Sequence, residues 1–213
     1  SGKSVMMKHV LGLFKPDSGA VHVLGYEVPD CNVEQLQELR TKIGMLFQHA
    51  ALFDSMSVYD NVRFPLVERL QRVGNDEAHE RTMDVLEKLK LTEIAHRQPT
   101  DISNGQQKRV SLARALVTEP TMMIYDEPTT GQDPIMCDYV EKMIVEAHSA
   151  FQLTSLIISH DMASTFRIAD HVAMLYHGEI IAEGPPHTLL ESADERVREF
   201  VFAADVADAK RNA

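Results

Sequence analysis

Asp126 and Glu127 stand side by side at the end of an apolar run, Met122-Met123-Ile124-Tyr125. A strand that delivers a carboxylate to its C-terminal tip can hold a divalent cation there. A second acid beside it can accept a proton from, or orient, an attacking water. At the other end of the chain Ser1-Gly2-Lys3-Ser4 opens a helical pattern. In a Gly-rich loop leading into a helix, backbone N–H groups cradle phosphates, the Lys reaches the outer phosphates and the hydroxyl holds Mg²⁺. Gly-Lys-Ser alone recurs by chance, and two acids can end a strand simply because they are solvated there. Together they point to one chemistry, that of a magnesium-bound nucleoside triphosphate.

Polar residues close two further apolar runs, Gln48 after KIGMLF and His160 after LTSLIIS. Either alone reads as a polar strand cap. In an open parallel sheet, however, ligand contacts gather outside the carboxyl ends of the strands. Gln48, Asp126-Glu127 and His160 are all suited to γ-phosphate or Mg²⁺ chemistry, and all three fall at such ends. In Ile102-Ser103-Asn104-Gly105-Gln106, Ser103 and Gln106 have capping-box spacing. A capped helix start with exposed N–H groups is also an anion site. Asp133 has the position of an N-cap before Pro134.

The elements that must position these residues follow from periodicity. Residues 3–14 read as a helix stopped by Pro16, 20–28 as one β segment, 33–41 as a helix and 42–48 as a buried strand. From 57 to 95 the pattern is helical and charged, with Val85, Leu86, Leu89 and Leu91 as its apolar stripe. A second helix in 101–117 carries Val110, Ala113 and Leu116. Strands are expected at 122–125 and 153–159. Between them a helix over 134–147 turns Ile135, Tyr139, Val140, Met143 and Ile144 inward. Residues 172–176 and 179–182 form a hairpin around His177-Gly178. Residues 195–206 form an amphipathic helix docked through Val197, Phe200, Val201 and Ala204. Strands alternating with helices predict an α/β fold with a parallel sheet.

Composition narrows the partners. The 213 residues hold 21 Lys and Arg against 32 Asp and Glu, a net charge of −11 that repels nucleic-acid backbones. Cys31 and Cys137 form no ligand cluster, so a reducing, cytosolic compartment is expected and a disulfide scaffold is not. No His pairs with another His or Cys at helical spacing, so zinc is not expected and Mg²⁺ with the nucleotide is the ion expected. The apolar runs are strand-length, far short of a membrane span. The pair Lys108-Arg109 reads as a solvated helix face. The phosphate-loop half at Ser1–Ser4 lacks its preceding strand. The sequence therefore reads as an N-terminally incomplete domain whose missing strand would pair beside Met122–Asp126.

Taken in order, these segments resemble an ABC ATPase. Gly2-Lys3-Ser4 is similar to the end of its Walker A motif and Gln48 to its Q-loop. Ile102–Gln106, running into Lys108-Arg109-Val110-Ser111-Leu112-Ala113-Arg114-Ala115-Leu116, is similar to its signature motif. Asp126-Glu127-Pro128-Thr129 resembles Walker B, Asp133 the D-loop and His160 the switch histidine. The resemblance implies a P-loop NTPase core over 1–53 and 118–213, with an inserted helical and signature subdomain at 54–117. It implies two such chains sandwiching ATP. One chain gives Ser1, Gly2, Lys3, Ser4, Gln48, Asp126, Glu127 and His160, with Ser4, Gln48 and Asp126 as the Mg²⁺ ligands and Glu127, His160 and Gln48 as the catalytic set. The other gives Ser103, Asn104, Gly105, Gln106 and Asp133. Asn104 departs from the usual glycine and is expected to tolerate a positive φ in its place.

A finer resemblance runs through 51–66, Gly131-Gln132-Asp133-Pro134-Ile135, Ser159-His160-Asp161-Met162 and Arg196–Phe200. These are similar to phospholipid-transporting ABC ATPases of the Mla type. That branch implies an integral-membrane permease as partner, a homodimer of nucleotide-binding subunits, lipid-binding accessory subunits and a peripheral place on the cytoplasmic face of the inner membrane. Phe53, Met56, Val58 and Tyr59 are then candidate permease contacts, and nucleic acid is no partner. The alternatives are another cargo (an amino acid, metal or drug) or a soluble ABC ATPase outside transport.

Overall fold

The computed structural model describes residues 2–48, 50–68 and 73–203. In chain order the elements are α1 (Lys3–Val10), β1 (His22–Val23), β2 (Tyr26–Glu27), α2 (Val33–Thr41), β3 (Ile43–Leu46), α3 (Val58–Glu68), α4 (Asn75–Lys88) and α5 (Asn104–Leu116). There follow β4 (Met122–Asp126), α6 (Pro134–Phe151), β5 (Thr154–Ile158), α7 (Met162–Ile168), β6 (Val172–Tyr176), β7 (Glu179–Gly184), α8 (Pro186–Leu190) and α9 (Glu195–Ala203). The chain divides into two compact units. One comprises residues 37–158; the other joins the first 36 residues to the part from Ser159 onward.

In the unit of residues 37–158, β3, β4 and β5 form a parallel sheet with β4 at the centre. Ile43 pairs with Met122 and Leu46 with Tyr125, while Asp126 pairs with Ile158. Parallel neighbours require crossovers; α3, α4 and α5 lie in the first and α6 in the second. β4 is short and apolar, with Met123, Ile124 and Tyr125 fully buried between its neighbours. Since β3 and β5 pair with β4 along both edges, the expectation of a missing strand beside Met122–Asp126 is overturned.

The helices bury the stripes expected of them, Val85, Leu86, Leu89 and Leu91 in and after α4, and Val110, Ala113 and Leu116 in α5. α6 buries Val140, Met143, Ile144 and Ala147, but Ile135 is 81% exposed. Five residues of helix separate Ile135 from Val140. That is about 500° of rotation, or roughly 140° away from the buried stripe.

In the other unit, the single β segment expected over 20–28 is instead a miniature antiparallel hairpin. β1 and β2 pair around a two-residue turn at Leu24-Gly25. β6 and β7 pair around His177-Gly178 as expected, with an irregularity at Met174/Leu175. Met162 of α7, Val172 and Met174 of β6, Leu189 of α8, and Val197 and Val201 of α9 make one apolar cluster. α9 therefore docks on its own core through two residues four apart. Phe200 is not among them: it is 40% exposed, because its helical angle puts it about 80° from the centre of the Val197–Val201 stripe. Ala204 and Val206 lie outside the described residues. Among the described residues no helix is long and apolar enough to cross a membrane.

Candidate functional site

The C-terminal end of β4 carries the two acids. Asp126 is the last strand residue, and Glu127 continues the ladder by donating its N–H to Ile158 O at 2.8 Å. There the chain leaves the sheet abruptly, with Glu127 at φ 50°. A residue with a Cβ adopts that left-handed conformation only where its surroundings impose it. The parallel register puts the end of β3 alongside, so Gln48, two residues past Leu46, reaches the same turn. Its Nε2 donates to Thr130 O at 3.3 Å. Beneath the turn the sheet is dry, and burial pushes the Tyr125 phenol up to about 12.

The segment after Glu127 is held from several sides. Thr130 donates its N–H to Glu127 O at 3.3 Å and its hydroxyl to Glu127 Oε2 at 2.8 Å. Lys108 Nζ donates to Pro128 O at 2.7 Å. Asp133 accepts from the N–H groups of Ile135 and Met136 and so caps α6.

Lys108 corrects the reading of a solvated pair, since it is only 6% exposed. Burial pushes its ammonium below the ordinary lysine range, opposed by the nearby Cys137. Its neighbour Arg109 lays its guanidinium over the Tyr139 ring at 5.0 Å.

The start of α5 is the capping box that the spacing promised. Ser103 Oγ accepts from Gln106 N at 3.3 Å, and Ser103 N donates to Gln106 Oε1 at 3.0 Å. Asn104 overturns one expectation. It is the first residue of α5, exposed, and absent from the positive-φ residues of the chain. The capping box draws it into the helix, where no left-handed strain exists for it to tolerate. Gly105, the next residue, is small for a packing reason. A Cβ there would lie 3.2 Å from Tyr139 Cε1 on α6.

Gly2, Lys3, Ser4 and His160 belong to the other unit. Gly2 sits at φ 100° immediately before α1, and no side chain caps that helix. Such a φ suits glycine alone. Lys3 Nζ donates to Ser159 O at 3.0 Å, which sets the lysine beside the residue preceding His160. Ser159 in turn accepts from Asp161 N at 2.9 Å, and Asp161 caps α7 through Ser164 N. Ser4 and His160 are exposed. Ser1 lies outside the described residues.

The donor set fits nucleotide and magnesium. The start of an α-helix presents N–H groups and the positive end of its dipole, which favour phosphate oxygens. Among the described residues no group of three or more His, Cys, Asp or Glu assembles a metal cage. Mg²⁺ asks for none: it keeps waters and binds through one or two carboxylates plus phosphates, which suits Asp126.

Three residues to which the motifs gave no role order loops in the unit of residues 37–158. Asn61, fully buried, accepts from Phe53 N and donates to the carbonyls of Phe53, Met56 and Ser57. Arg114 donates to the carbonyls of Ala50 and Ala51. Thr130 is the third. Of the candidate permease contacts, Phe53 is exposed and packs on Phe64, and Tyr59 bonds His79. Val58 is completely buried and unavailable to a partner.

Residues 1–130 match the family model described as ABC transporter. The chain belongs to the ABC transporter family. Over 201 residues it is 35% identical to the probable ribonucleotide transport ATP-binding protein mkl of Mycobacterium leprae, covering 94% of this chain and 58% of that one. The chain therefore spans little more than half the length of that relative. Over 200 residues it is 36% identical to MlaF of Escherichia coli, the ATP-binding protein of an intermembrane phospholipid transport system, covering 94% and 74%. Among solved ABC proteins, cbiO1 from Clostridium perfringens, part of the transporter complex cbiONQ, superposes with a TM-score of 0.82 at 30% identity, covering 94% and 79%. A dimeric ATP-binding cassette in a post-hydrolysis state with ADP and Pi superposes with a TM-score of 0.70 at 27% identity, covering 87% and 81%. The α/β P-loop fold expected of the family is the fold of these ABC neighbours.

Proposed function

We propose that this chain is the ATP-binding and ATP-hydrolysing subunit of a transporter that moves phospholipid or a related lipid through a partner permease. The observation that carries the reading is the end of β4, where Asp126 closes the strand and Glu127 turns off it at φ 50° with its carboxylate held by Thr130. In this reading Gly2 and the first N–H groups of α1 take the phosphates, and Lys3 reaches the β/γ-phosphates. Ser4, Gln48 and Asp126 would hold Mg²⁺, which would supply positive charge against the phosphates. Glu127 orients the attacking water and accepts its proton, and His160 donates a hydrogen bond toward the γ-phosphate. Residues 1–53 and 118–213 form the nucleotide-binding core, and 54–117 the helical subdomain.

Two copies sandwich the nucleotide, each completing the other's site with Ser103, Asn104, Gly105, Gln106 and Asp133. The dimeric state of a solved relative supports this. A permease docks near exposed Phe53, placing the subunit peripherally on the cytoplasmic face of the membrane, with lipid-binding accessory subunits completing the assembly. The name of MlaF favours lipid as cargo. The name of mkl favours a ribonucleotide, and this is the second reading. Mass spectrometry of what co-purifies with the membrane complex separates the two.

The mechanistic test is Glu127→Gln in the full-length protein. ATP binding should persist while turnover falls at least about 100-fold, the scale of a lost general base. Near-parental phosphate release would remove Glu127 from its role.

A further inference from the structure

The turn that follows β4 contains a residue whose two ends face two different parts of the site. Thr130 gives its hydroxyl to Glu127 Oε2 at 2.8 Å and takes the Gln48 amide on its carbonyl at 3.3 Å. Its N–H closes the turn onto Glu127 O at 3.3 Å. The left-handed backbone of Glu127, φ 50°, cannot hold itself, because nothing local to a glutamate favours that conformation. Among the contacts of the described residues that hold it are the N–H bond to Ile158, the Lys108 bond to the next carbonyl, and the two bonds from Thr130. Of these, the Thr130 hydroxyl acts on the carboxylate itself. A hydrogen bond onto an ionised group is short, directional and stronger than a neutral one, so it selects one side-chain orientation. Displacing Gln48 breaks its bond to Thr130 O and so loosens the turn that sets Glu127.

We propose that Thr130 is a positioning residue. Its hydroxyl sets the Glu127 carboxylate, and its carbonyl couples that setting to the position of Gln48. The inference rests on the reading of Glu127 as the residue that handles the attacking water.

The test uses the full-length protein and compares Thr130→Val, which keeps the shape and loses the hydroxyl, with Thr130→Ser, which keeps the hydroxyl. Thr130→Val should lower kcat for ATP about ten-fold or more, the scale of one charged hydrogen bond, with KM within two-fold of the parent. Thr130→Ser should recover most of that loss. Combining Thr130→Val with Gln48→Ala should lower kcat by much less than the product of the two single effects. In the nucleotide-free protein, the amides of residues 127 and 129–132 should exchange faster in Thr130→Val and at the parental rate in Thr130→Ser. If Thr130→Val does not fold, Thr130→Ala carries the same expectations. Parental or raised kcat in the hydroxyl-free variant overturns the proposal, as does equal loss in Val and Ser. Glu127→Gln in the same assay separates the two ideas. If it is inactive while Thr130→Val is unaffected, the tether fails alone; if it turns over normally, the reading of Glu127 fails first.

Discussion

Replacing Lys108 by Met removes a buried cation while keeping most of its stem. The ammonium donates to Pro128 O at 2.7 Å from a side chain that is 6% exposed. A hydrogen bond from a charged donor contributes about 1.5–3 kcal/mol. Part of that is offset in the parent by the cost of burying the charge, the same cost that depresses the Lys108 pKa. The net loss on substitution should be about 1–2 kcal/mol, or roughly 3–6 °C in Tm for a chain of this size.

The pH dependence has a definite sign. The folded chain releases the Lys108 proton below the ordinary value of 10.5, so between those two points the unfolded chain binds more protons. Parental stability therefore gains from this group as pH rises through that window, and carries the full burial penalty below it. The methionine variant lacks the gain, so the Tm gap between parent and variant should widen from neutral toward alkaline pH. Paired thermal melts at a series of pH values measure this. Equal Tm values, or a gap that narrows as pH rises, would refute the account of Lys108 as a buried, bonded cation.

Gly105→Ala should separate fold from function. Helix propensity gains up to about 1 kcal/mol, while the Tyr139 ring must yield a few tenths of an ångström, so Tm should stay within about 3 °C of the parent. ATPase activity should fall, because the added methyl presses on Tyr139 and shifts the α5 start away from its proposed phosphate contact; parental activity would remove Gly105 from the proposed nucleotide contacts. Asn104→Gly has no positive φ to relieve, so it should cost about 0.5 kcal/mol or less and leave the ATP-dependent dimer fraction unchanged. Sedimentation with and without ATP measures it, and a marked rise in dimer would mean that strain exists at that position after nucleotide binds.

The parallel sheet was legible because buried strands write themselves as short apolar runs, and three of these ended in a residue with chemistry. Ile43–Leu46, Met122–Asp126 and Thr154–Ile158 each fall inside or within one residue of the expected range. What the pattern missed lacked a period long enough to register. β1 and β2 have two residues each, and α8 has five. Ile135 and Phe200 are expected inward from their place on an apolar stripe. Ile135 is turned well off the buried face of α6, whereas Phe200 lies at the edge of the α9 stripe, where a helix this short leaves a large side chain partly in solvent.

The site divides along a similar line. The groups proposed to meet a ligand were readable from residue type and position, whereas groups that hold the loops were not, because their partners are backbone carbonyls with no signature of their own. Two of these still left a trace. Lys108 falls four residues before Leu112 and eight before Leu116, both fully buried, so the helical phase of α5 carries a cation into its apolar stripe. Asn61 falls between Val58 and Pro65 on the buried face of α3 in the same way. A polar side chain on a buried stripe must find partners, since leaving it unpaired costs far more than an ordinary hydrogen bond returns. The partners within reach are the carbonyls of whatever loop packs there. For Asn61 that loop is 53–57, downstream of Gln48, and for Lys108 it is the turn that follows Glu127. These two polar interruptions of an apolar stripe mark loops that the fold fixes from beneath. Thr130 sits in a turn with no stripe to interrupt, and only the three-dimensional placement of its hydroxyl and carbonyl reveals it.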